Sequence, residues 1–300
     1  MADKIQTLLV LVPISFTGAL VNWTCLYGVL KLPVFKNSFG YLSANQALTD
    51  ALHSTVFLLY YCPMILWDQK LLKEYSHICG FVLLFCYELS VLTHLLISLN
   101  RFFAAWAPIS YHKVFHLSQT KCLILVSWMY SLTYAGLFYL RICHFRFDEQ
   151  VQFLTFSNSR ICMIVGWNGD FIKNSVIVAI IMLLDTVTIM KSRQLLYKLK
   201  NSVDALAAQQ LLCRDRRFLK QAVIQDTVFM LELLTYFFIP KYFENRWIVF
   251  FGTSFAWVAV HVADGIVLII CNPEMRNIIF GWLHVKINNA VSAHGTPNQN

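Results

Sequence analysis

The chain has 300 residues, 58% of them hydrophobic and 13% charged, with a formal net charge of +8; its mean hydropathy is +0.57. A soluble globular domain carries about 25% charged residues, so this chain cannot cover itself with polar surface and must be solvated by lipid. The positive charge forms no aromatic-basic patch on a polar domain, which sets nucleic acid aside as a partner, and the nine cysteines show no CxxC pair or metal-ligand spacing.

A membrane-spanning helix needs about 20 predominantly apolar residues. Seven segments qualify, at about 7–30, 41–66, 78–104, 120–142, 171–195, 219–240 and 247–271. None alternates apolar and polar residues as a membrane β-strand does. Backbone groups in lipid must be satisfied internally, so the expected fold is an all-α integral membrane bundle of seven transmembrane helices, residues 1–272. The first segment follows Lys4 and runs well past the apolar core of a signal peptide, so it is read as an uncleaved helix. After the seventh segment, CNPEMRNIIFGWL (271–283) reads as a short amphipathic helix on the membrane surface, opening a tail over 273–300.

Lys and Arg in alternate loops give the expected orientation. One set of loops holds fifteen of them, including Arg101, Lys113, Lys191 and Arg217; the other holds nine. The richer set is expected in the cytoplasm, which puts the N-terminus outside and the C-terminus inside. Arg101 then closes the third helix at its cytoplasmic mouth, with Pro108 and Tyr111 in the loop behind it.

Six acids lie within or near the spans: Asp50, Glu88, Asp185, Asp226, Glu232 and Asp264. A charge at the bilayer centre costs about 2.5–3.5 kcal/mol on the insertion scale, so these residues are expected to face the bundle interior. Asp50 and Asp264 are expected to form a polar core beside Asn22. Glu88 lies thirteen residues before Arg101, or about 20 Å along a helix, a depth suited to the floor of a ligand pocket. Tyr87, Leu83 one turn above it, and Glu232 on the sixth segment complete that candidate set. The upper bundle is rich in aromatics and suits a small apolar or amphipathic ligand. His53, His77, His94 and His261 stand singly and are expected to make interhelical hydrogen bonds. Cys143 and Cys162 lie in the outer loop between the fourth and fifth segments, an oxidising compartment, and are expected to form a bridge.

Several motifs resemble those of a G-protein-coupled receptor. Asn100-Arg101-Phe102 stands where the rhodopsin-like superfamily has Asp-Arg-Tyr. Asn45-Gln46-Ala47-Leu48-Thr49-Asp50 is similar to its second-helix pattern, and Trp128 occupies the expected place in the fourth helix. A closer resemblance is to the nematode serpentine receptor class X, Srx, carried by THLLISLNRFFAAWAPISYHKVF, GDFIKN (169–174), LELLTYF (231–237) and FAWVAVHVADG (255–265). The resemblance implies a chemosensory receptor at the plasma membrane of sensory cilia, with a small-molecule ligand outside and a heterotrimeric G protein inside, contacting Arg101, Asn100, Pro108 and Tyr111. It also implies that Asp50 sits in a hydrated polar core or holds a sodium ion, and it offers Cys79–Cys162 as the alternative bridge.

The chain departs from the superfamily in places. Asn100 replaces the acid before Arg101, so a weaker closed-state lock and some basal activity are expected. The seventh segment has Asp264 and Gly265 where Asn and Pro would stand. It carries no lysine, so no retinal Schiff base can form there, and no cofactor or catalytic group is expected. The rival reading is a seven-helix ligand-gated channel of inverted topology. Inverted repeats or intramembrane metal pairs, the marks of a transporter or enzyme, are not evident.

Overall fold

The computed structural model describes residues 2–148, 153–199 and 205–277. Seven long helices form one bundle. α1 is Ala2–Lys31. α2 runs Ser38–Val56 and continues through a π-helical turn, Phe57–Tyr61, into Cys62–Trp67. α3 is Ser76–Trp106. α4 is Leu117–Ala135, extended by a π-helical stretch at Gly136–Ile142. α5 begins at Arg160–Ile164, passes through a π-helical stretch at Val165–Ile172, and continues as Lys173–Leu199. α6 is Ala205–Tyr242. α7 is Arg246–Phe250, a π-helical turn at Phe251–Phe255, and Ala256–Cys271.

Six of these helices are long and apolar enough to cross a membrane. The other, α2, is of similar length but carries Asn45, Gln46, Thr49, Asp50, His53 and Ser54, all buried. Its polar side chains are hidden from lipid because it packs between α1, α3 and α7. The ring of contacts runs α1–α2–α3–α5–α6–α7 and back to α1, with α4 outside against α3 and α2. Trp128 on α4 donates to Asn45 Oδ1 at 2.8 Å and fixes that outer helix.

The expected spans agree with the helices to within a few residues except at two starts. α6 begins at Ala205, well ahead of the expected 219. α5 begins at Arg160, not at 171. The polar run Asn168-Gly169-Asp170 reads as loop, yet it stays helical because its groups find partners. Asn168 donates to Ile164 O at 3.2 Å, Asn174 to Asp170 Oδ1 at 2.8 Å, and Tyr134 to Gly169 O at 2.7 Å.

Between α4 and α5 the chain forms an antiparallel hairpin, β1 (Phe145–Asp148) and β2 (Phe153–Phe156), with Phe145 opposite Phe156. All four π-helical turns lie at the end of the bundle where this hairpin sits. The opposite end carries Arg101 and the short helix Pro108–Val114, whose proline starts it without losing a needed donor. Residues 273–277 begin a further helical turn that buries Met275. Residues 278–283 of the expected amphipathic helix, and the tail up to residue 300, lie outside the described residues.

Candidate functional site

Three groups of side chains lie one above another along the bundle axis. The first is at the hairpin end. Cys143 and Cys162 are bridged, with Cα atoms 5.2 Å apart, while Cys79 is a free buried thiol. The hairpin dips into the bundle instead of arching over it. Phe145, Phe147, Phe153 and Leu154 are buried. The Phe147 amide donates to Ser76 Oγ at 3.1 Å, and Tyr236 donates to Leu154 O at 2.7 Å. A methyl group built on Gly80 would stand 2.1 Å from Phe145 O, so only glycine lets the strand approach α3 this closely. The Phe145 ring meets Trp257 edge-on at 5.7 Å.

The expected ligand residues Leu83, Tyr87, Glu88 and Glu232 lie beneath this plug, all 5% exposed or less. They do not line one chamber. Tyr87 donates to Glu232 Oε2 at 2.9 Å. The space beside them, bordered by Asp170, Trp257 and Phe145, is about 10 Å³, enough for at most one water. Glu88 turns instead to α5 and forms an ion pair with Lys173. Lys173 thus lies inside the bundle, whereas a span starting at 171 would leave it at a helix end. Its ammonium also lies 3.9 Å from the Tyr134 ring centroid, a cation–π contact that offsets part of its desolvation.

The second group is the polar core. His261 Nδ1 lies 2.8 Å from Asp50 Oδ1, and His94 Nε2 lies 3.0 Å from Asp264 Oδ2. Each acid is thus matched to an imidazole from another helix. Gln46 Nε2 reaches Asp50 at 3.1 Å, Ser90 Oγ at 2.6 Å and Asp264 at 3.4 Å. Asn22 donates to Gly18 O and His261 O at 3.0 and 2.9 Å, tying α1 to α7. A cavity of about 20 Å³ adjoins these groups. Gln46 Nε2 sits between the two carboxylates, while Asn22 Oδ1, Gln46 Oε1 and Asp264 Oδ1, from residues that line the cavity, have no hydrogen-bond partner; the remaining space suits one water.

The third group surrounds Arg101. Its Nη2 lies 3.7 Å from Asp185 Oδ2 on α5, and Ser98 donates to Asp185 Oδ1 at 2.9 Å. Asn100 is buried, and its Nδ2 has no hydrogen-bond partner. Where an acid is missing before Arg101, Asp185 places one opposite it across the bundle. A cavity of about 610 Å³ opens at this end. Asn100, Arg101, Pro108 and Tyr111 all line it, with Lys191 and Glu274.

Sequence reasoning found the acids but not their pairing. Lone intramembrane acids demand cations or donors, and Lys173, His94, His261, Arg101 and Tyr87 were among the available ones. That demand was a usable signal.

The family model described as serpentine type 7TM GPCR chemoreceptor Srx matches residues 12–272. Serpentine receptor class X 45 of Caenorhabditis elegans is 28% identical over 293 residues, spanning 92% of this chain and 81% of that protein. Serpentine receptor class X-43 of the same organism is 26% identical over 290 residues, spanning 93% and 89%. The crystal structure of squid rhodopsin aligns with a TM-score of 0.75 at 12% identity, covering 94% of this chain and 86% of that one. This last likeness is one of fold.

Proposed function

The chain belongs to the Srx family of seven-transmembrane, G-protein-coupled chemoreceptors, and from that premise we propose that it detects a small-molecule cue at its hairpin end and signals through a heterotrimeric G protein at its Arg101 end. The observation that carries this reading is the cavity of about 610 Å³ in which Asn100, Arg101, Pro108 and Tyr111 meet. Four residues chosen from sequence for one partner surface line one concave space. Arg101 supplies five N–H donors in a fixed fork and keeps its charge. In the closed state it faces Asp185 on α5; moving α5 away from α3 frees it for a partner helix.

In this reading the hairpin end is extracellular and the Arg101 end cytoplasmic, at the plasma membrane of sensory cilia. The polar core, Asn22, Asp50 and Asp264 with His94 and His261, joins α1, α2, α3 and α7 between the two ends. It is the element whose rearrangement links them.

The deciding experiment tags both termini and labels intact cells. An external N-terminus with an internal C-terminus supports the reading. An internal N-terminus places Arg101 on the wrong face, overturns G-protein coupling, and favours the inverted channel, which conductance recordings would then test.

A further inference from the structure

With the central chamber filled by the hairpin, the space available to a ligand lies to one side. A cleft of about 1130 Å³ opens between the hairpin, the first turns of α5 and the end of α6. Ligand pockets of small molecules run about 300–1,000 Å³, so this one is ample.

Its charged lining is mainly cationic. Arg146 projects from β1 on the face opposite buried Phe145 and Phe147. Arg160 is the first residue of α5, and Lys241 comes from the last turn of α6. All three line the cleft and are exposed; among the described residues the only carboxylate lining it is Asp148. The N-terminus of α5 adds the positive end of a long helix to the same mouth. The wall below is aromatic, from Trp167, Phe156 and Phe237. Lys241 Nζ already lies 4.1 Å from the Trp167 centroid, which places a charge directly beside an apolar platform.

Two guanidiniums offer planar, paired donors that match a carboxylate, sulfate or phosphate group. The aromatic wall would take an apolar body. We propose that this cleft binds an amphiphilic organic anion, its head on Arg146 and Arg160 and its body against Trp167. The proposal deepens the receptor reading by naming the chemical class of its cue. Binding is measured without a G protein, so its failure leaves the Arg101 end untouched.

The test uses the full chain in phosphatidylcholine nanodiscs with radiolabelled phenylbutyrate as probe. Saturable binding is expected, displaced by decanoate and not by phenylbutanol. The double variant R146Q/R160Q should weaken it by about tenfold or more, the worth of a charge-assisted hydrogen bond. R146K/R160K keeps the charge but loses the paired donors, and should bind between the parent and R146Q/R160Q. Thermal unfolding of each variant reports that it is folded. A second disc containing phosphatidylglycerol separates two sources of the anion: loss of probe binding identifies a lipid headgroup as the occupant, and unchanged binding identifies a soluble anion. The proposal is overturned if neither phenylbutyrate nor decanoate binds saturably, if phenylbutanol competes equally, or if folded R146Q/R160Q binds like the parent.

Discussion

Asp185 on α5 holds its carboxylate 3.7 Å from the guanidinium of Arg101 on α3, and it is fully buried. The residue next to Arg101, Asn100, takes no part through its amide nitrogen, which is unpartnered. The restraint on Arg101 is therefore interhelical, between the two helices that flank the inner cavity.

Asp185→Asn removes the charge and keeps the shape. Basal G-protein activation, read by energy transfer between receptor and Gα in cells, should rise by at least about fivefold, the low end of a typical coupling free energy. Asn100→Asp should change basal signalling little in the parent and lower it in the Asp185→Asn background. Equal basal signals in parent and Asp185→Asn would remove Asp185 from the lock.

Lys173→Met leaves Glu88 buried without its cation. Stability should fall by about 3–5 kcal/mol, the usual cost of stranding one partner of a buried pair. The double variant Glu88→Gln with Lys173→Met should recover most of it, since the pair is replaced and not broken. Thermal unfolding of the purified receptor gives both values, and a double variant as weak as the single one would argue that the pair is not the source.

Removing the Cys143–Cys162 bridge, which spans 19 residues, should cost about 3 kcal/mol. It also unties the hairpin from α5, so Phe145 and Phe147 should become accessible. Cys79→Ser should leave the melting temperature under non-reducing conditions close to the parent value. A large loss from Cys79→Ser combined with none from Cys143→Ser would point to the alternative bridge.

Asp68 at the hairpin end pairs with Lys4 at 2.6 Å and with Lys73. Hydrogen bonds from the two ammonium groups hold its carboxyl down at about 2. A depressed carboxyl contributes stability above the unfolded carboxylate range and loses it only as pH falls through the folded value. Between pH 7 and pH 5 the clamp should hold, while raised salt should loosen it. Asp68 has φ of 53°, a left-handed backbone that Asn also tolerates, so Asp68→Asn isolates the charge. Amine labelling of Lys4 should be faster in that variant than in the parent at both pH values, and the ratio of the two rates should be the same at pH 7 and pH 5.

Most of the architecture was legible because burying a charge in lipid is so costly: apolar runs, loop charges and lone acids each had few solutions. The start of α5 was not. Asn168, Gly169 and Asp170 carry loop chemistry, and only their partners on Tyr134 and Asn174 keep them helical. With that start misplaced, Lys173 could not be matched to Glu88. The hairpin escaped for a different reason. Phe145, Phe147 and Leu154 alternate with Arg146 and Thr155 as an ordinary strand would, and nothing local says that its apolar face points down into the bundle. That follows from contacts with Ser76, Gly80 and Tyr236, far away in sequence.

The π-helical turns of α2, α4, α5 and α7 carry a consequence for how such a receptor changes over generations. Each holds a residue more than the ordinary helical path requires. Losing one codon there would let the helix relax to the α form without breaking it, re-aiming the side chains of the wide turn itself while the flanking stretches stay close to their present phase. The portion running toward Arg101 would keep its phase. Single-residue deletions in these turns thus offer a short mutational route to a re-aimed sensing surface on an unaltered signalling base.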